Sequence, residues 1–75
     1  MDLKIYAVKD TVQGAFMQPF YLNNDDVAKR SFKLACEDEK GNYHAIAKDL
    51  QLFRLGSFND ESGEITPEQE FLMNG

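Results

Sequence analysis

PFYLNNDDVAKRSF, residues Pro19 to Phe32, carries the chain out of a strand and into a helix. Phe20, Tyr21 and Leu22 end an aromatic, strand-forming run. Asn23 and Asn24 then offer side-chain oxygens to cap a helix, and Asp25 and Asp26 fall in its positive first turn. From Val27 to about Cys36 the pattern is helical. At about 100° per residue, Leu34, Val27, Ser31, Ala35, Ala28 and Phe32 occupy one arc of about 160°. Lys29, Arg30 and Lys33 fall on the opposite arc. The spacing predicts a helix that packs a small apolar face on a sheet and shows its cations to water.

Working outward toward the N-terminus, Leu3 to Val8 alternates. Leu3, Ile5 and Ala7 point one way, and Lys4, Tyr6 and Val8 the other, as in a half-buried strand. Asp10 to Gly14 reads as a turn. Ala15 to Leu22 is a second strand, with Phe16, Phe20 and Leu22 on one face and Met17 and Tyr21 on the other. Pro19 lies inside it and cannot donate to a ladder, so this is an edge strand or carries a bulge.

Toward the C-terminus, Glu37 to Asn42 is a charged loop. Tyr43 to Asp49 suits a short helical turn that buries Ile46. Leu50 to Phe58 reads as a strand, with Leu50, Leu52, Gly56 and Phe58 sharing a face with Arg54, and Phe53 and Leu55 on the other. Asn59-Asp60-Glu61-Ser62-Gly63 suits a hairpin loop closed by a glycine at positive φ. Glu64 to Thr66 would pair back. Thr66-Pro67-Glu68-Gln69 is a capping box with proline at the first helical position, predicting a last helical turn from Pro67 to about Leu72. The expected fold is a small single α+β domain spanning residues 1–75. An antiparallel sheet of about four strands carries one main amphipathic helix on one face, followed by a short C-terminal helix.

Composition narrows the function classes. A chain of 75 residues, 43% hydrophobic with six Phe and three Tyr, supports one core and argues against disorder. It buries roughly 60% of the surface exposed by the unfolded chain, so its core is thin and oligomerisation is one way to support it. The single cysteine, Cys36, excludes an intramolecular disulfide and a cysteine-based metal site, and reads as a small packing residue. No signal peptide or membrane-spanning run is expected, which suits a reducing cytoplasm.

The net charge is −5. All eight Lys and Arg lie in residues 1–58, where they balance eight acids, so the excess negative charge belongs to segment 59–75. No catalytic constellation accompanies the single His44, and the Asp25-Asp26 and Glu37-Asp38-Glu39 clusters lack calcium-loop spacing. No enzyme activity, cofactor or metal is expected.

Two binding surfaces remain. Lys29, Arg30 and Lys33, with Lys4 and Arg54 as additions, could hold phosphates, while Phe20, Tyr21 or Tyr43 stack bases. The same spacing also suits an ordinary ion-paired surface: Asp25 precedes Lys29 by four residues, Asp26 precedes Arg30 by four, and Glu37 follows Lys33 by four. The acidic segment 59–75 could dock a protein through Glu68, Glu70 and Phe71, or simply be solvated. A homo-oligomer assembled through sheet edges or an apolar sheet face is a third possibility.

KIYAVKD (Lys4–Asp10), PFYLNNDDVAKRSF (Pro19–Phe32), LQLFRLGSFNDESGEI (Leu50–Ile65) and FLMNG (Phe71–Gly75) together resemble the small nonstructural proteins of gokushovirus-type microviruses. These are small icosahedral phages with circular single-stranded DNA. The resemblance covers nearly the full length. Its specific parts are the Asn-rich cap before a basic helix and the hairpin block with Arg54, Gly56 and Gly63. It implies a DNA-binding protein acting in viral genome replication, in the switch from double-stranded synthesis to single-stranded DNA for packaging. The expected partners are single-stranded DNA and a host or viral replication protein, in the cytoplasm of the infected bacterial host. The resemblance supplies no functional residues.

Overall fold

Strand β1, Asp2–Asp10, is the spine of the sheet. The computed structural model describes residues 2–75, and every other strand attaches to β1 directly or through one neighbour. Its two-residue alternation divides the molecule. Tyr6 and Val8 face a helix and are fully buried, while Leu3, Ile5 and Ala7 face the other way. The turn after β1 is held by Asp10, whose carboxylate accepts from the amides of Val12 (3.0 Å) and Gln13 (3.3 Å). Gly14 supplies the positive φ that closes it.

The return strand is broken. β2 (Ala15–Phe16) pairs with the end of β1 and β3 (Phe20–Leu22) with its beginning, both antiparallel. Residues 17–19 lie between them without strand geometry, and Pro19 closes the gap. As its proline requires, this strand lies at a sheet edge. The break corrects the expected strand count, giving five strands where about four were expected. It also corrects the facing. Phe16 packs edge-on against Phe53, whereas Phe20 stacks on Tyr6, on the helix side. Because residues 17–19 leave the pleat, Phe16 and Phe20 do not share a face, and Phe16 lies with Tyr21 instead.

Helix α1, Asp25–Glu37, forms as the capping residues dictate: the Asn24 side chain accepts from the Val27 amide at 2.9 Å. Its buried stripe is Ala28, Phe32 and Cys36, one residue per turn. This differs from the expected arc. Val27 and Leu34 are 42% and 61% exposed, because the helix is rolled so that only the Ala28–Phe32 edge of that arc meets the sheet. A 3-10 helix, His44–Asp49, follows, with Ile46 packed partly buried against the core, as expected.

β4 (Leu50–Asn59) and β5 (Ile65–Asn74) form a long hairpin, giving the order β2-β1-β4-β5 with β3 also on β1. Leu50 and Leu52 complete the core beneath α1. The loop matches expectation: the Asn59 side chain accepts from Glu61 and Ser62, and Gly63 has φ +78°. The expected C-terminal helix does not form. Residues 65–74 pair along β4 instead, from Phe58↔Ile65 to Gln51↔Asn74. A capping box can start only a turn or two of marginal helix. Pairing satisfies the backbone along the whole segment and packs Leu72 and Met73 against the core. Pro67 is tolerated because β5 is an edge.

Candidate functional site

The outer face of α1 gathers Lys29, Arg30 and Lys33, all exposed. With Leu34 and Glu37 of the helix and Leu72 and Met73 of β5, they line an open groove of about 530 Å³. Its charged walls come from the helix and its apolar floor from the strand. The groove suits an extended anion with apolar parts.

The acids expected to neutralise these cations do not do so. No ion pair joins Lys29, Arg30 or Lys33 to a carboxylate among the described residues. Asp25 is turned inward. One of its oxygens accepts from the Tyr6 hydroxyl at 2.8 Å, and the other pairs with Arg54. The β-strand arginine thus takes the carboxylate that helix spacing assigns to Lys29.

Arg54 is the centre of a cage. Its guanidinium pairs with Asp25 of α1 and Glu70 of β5, and lies 3.6 Å from Glu68. Its side chain is only 16% exposed. Burial works against the charge on Arg54, but Asp25, Glu70 and Glu68 outweigh that cost, so the arginine holds its proton more tightly than usual. Burial, then the hydrogen bond to Asp25, pushes the Tyr6 hydroxyl well above its ordinary range, while Arg54 pulls it the other way. The cage ties helix, spine and edge strand together.

The candidate residues from the sequence are therefore dispersed. Lys29, Arg30 and Lys33 share the helix surface. Arg54 is engaged with three acids, and two of them, Glu68 and Glu70, are the residues assigned to protein docking. Phe20 is stacked under the helix on Tyr6, and Tyr43 packs edge-on against Phe32. Burial, with Cys36 next, raises the Tyr43 hydroxyl pKa. Lys4 is half-buried on the helix side of β1. Tyr21 and Phe71 lie on the opposite face of the sheet.

That opposite face holds what sequence reading missed. Phe16, Phe53 and Phe71 form an edge-to-face series across three strands, with ring centroids 5.3 and 5.7 Å apart. Tyr21 and Phe58 form a separate pair on the same face, 6.5 Å apart. Gly56 and Phe58 were expected on the Arg54 face and lie opposite it, because β4 shifts register between Arg54 and Gly56. The signal was present in the alternation of Phe53 with Arg54, but Phe71 joins the row only when residues 65–74 are a strand.

His44 Nδ1 donates to the Cys36 carbonyl at 3.0 Å. Burial, then Glu37, raises the Cys36 thiol pKa. Among the described residues, no group of three His, Cys, Asp or Glu side chains could hold a metal, and no helix is long and apolar enough to cross a membrane.

A family model described as Phage ORF5 protein matches residues 3–75. No curated protein and no solved structure matches.

Proposed function

We propose that this chain, which belongs to the Phage ORF5 protein family, is a non-enzymatic protein of phage genome replication or packaging that binds viral single-stranded DNA along the outer face of α1. It would act in the cytoplasm of the infected bacterium. One observation carries the reading: Lys29, Arg30 and Lys33 stand on one surface with no ion pair to a carboxylate among the described residues, and Asp25, the acid one turn before Lys29, is held by Arg54 and Tyr6. In this reading phosphates meet the three cations, and sugars or bases lie over Leu34, Leu72 and Met73 in the groove. Arg54 is not among the contacts, since its donors face Asp25 and Glu70.

Fluorescence anisotropy with a labelled oligothymidine tests it. Three phosphate contacts give a slope of log affinity against log salt of about −2 for a single strand. Changing Lys29, Arg30 and Lys33 together to Ala should remove most of that slope and most of the affinity. Absence of wild-type binding at low salt would sink the proposal.

The competing reading, a protein docked on residues 59–75, has less support. Most of that segment is an integral strand, and its Glu68 and Glu70 lie on Arg54.

A further inference from the structure

The face of the sheet turned away from α1 is uncovered and apolar. Leu3, Ile5 and Ala7 of β1 lie on it, flanked by Phe53 and Phe58 of β4 and by Ile65 and Phe71 of β5. Phe16 is 37% exposed there, Phe71 46%, Tyr21 56% and Ile65 58%. A sheet with a helix on one side ordinarily shows polar residues to water on the other. Contiguous apolar patches of this kind on a soluble monomer mark an interface.

We propose that this face is a dimer interface, covered by the same face of a second copy of the chain. Charge narrows the choice of partner. Among the strand residues paired on this face, Lys9 is the one charged side chain, and its Nζ lies 5.7 Å from the Phe16 ring centroid at the rim. A nucleic acid laid here would find rings but one cation for its phosphates, and a strongly charged protein would find only Lys9 to pair with. An identical apolar face is complementary in kind.

Size agrees. The molecule measures 39 × 22 × 16 Å, so its broad face is comparable with the roughly 800 Å² per partner that a standard interface buries. Leu3, Tyr21, Phe58 and Ile65 also enclose a shallow socket of about 170 Å³. That is room for one aromatic ring, since a cavity of about 150 Å³ holds benzene. Two such sheets would pack about 10 Å apart. Both copies of α1 would then lie on the outside, with their cations directed away from the interface.

Light scattering on the eluting protein tests the proposal without nucleic acid, so its outcome is separate from that of the DNA reading. The expected mass is twice the 8.6 kDa of one chain. Phe16→Lys and Phe71→Lys should each weaken the dimer at least tenfold with an unchanged circular dichroism spectrum, while Leu34→Lys on the helix leaves it intact. Isotope-filtered NOEs in a mixed-label sample should connect the rings of Phe16, Phe53 and Phe71 between copies, which decides the matter even if a lysine variant fails to fold. A monomer at the highest soluble concentration overturns the proposal, as does a dimer lacking these NOEs. A monomer whose oligonucleotide affinity falls on Phe71→Lys would also overturn it and assign the face to bases.

Discussion

Arg54 decides more than any other residue. From sequence it is one of eight cations, and its place among the core-facing residues of β4 is legible in the alternation. Its partners are not legible, because Asp25 lies 29 positions away and Glu70 lies in a segment whose local signals favour helix. In the fold it gathers three carboxylates that would otherwise repel one another. Arg54→Ala should cost on the order of 2 kcal/mol, between the ~0–1 of exposed pairs and the ~3–5 of buried ones, because Asp25 and Glu70 keep contact with water. Urea denaturation measures this. Arg54→Lys should recover little, since an ammonium cannot reach helix and strand with separate forked donors. Adding Asp25→Asn to Arg54→Ala should restore part of the loss, and strict additivity of the two changes would refute the cage as a coupled unit.

Elements show where local signals prevail and where they yield. The start of α1 was legible because Asn24 acts through the nearby Val27 amide, although the Asp25 side chain is taken by Tyr6 and Arg54. Asn24→Ala should therefore cost about 1 kcal/mol, read from thermal or urea melts, with Asn24→Ser close to neutral. The Asn59–Gly63 loop was legible for the same reason. The roll of α1 was not, because Leu34 and Ala28 are both apolar, and only the closeness of the sheet selects the slimmer Ala28 edge. The capping box at Thr66 misled because hairpin pairing outweighs one local turn. Gly56 is the point where that pairing is tightest. A Cβ there would collide with the Thr66 carbonyl, and β4 shifts register against both β1 and β5 between Arg54 and Gly56. The basic helix surface was legible as a cluster. The diversion of Asp25 away from Lys29 was not, since that depends on a distant strand arginine. The aromatic row was hidden with the strand that completes it.

At the scale of the molecule, the cation cluster and the exposed rings are separated. Lys29, Arg30 and Lys33 stand on the helix side, Phe16, Tyr21 and Phe71 on the bare sheet side, and the core between them is thin: seven buried residues among those described, shared by one helix and the sheet. A layer this thin gains much from a second sheet laid on its exposed rings. If a second copy covers that face, unfolding is coupled to dissociation, and stability depends on protein concentration. A tenfold rise in concentration then adds about 1.4 kcal/mol per dimer, which for two chains of this length raises Tm by roughly 3–6 °C. Phe71 lies on an edge strand, so Phe71→Lys should lower Tm at high concentration and abolish the dependence while the fold persists. Scanning calorimetry over two decades of concentration reads both effects. A wild-type Tm that does not move with concentration would mean that the aromatic face meets water in the folded state, and that the domain is held by its α1 side alone.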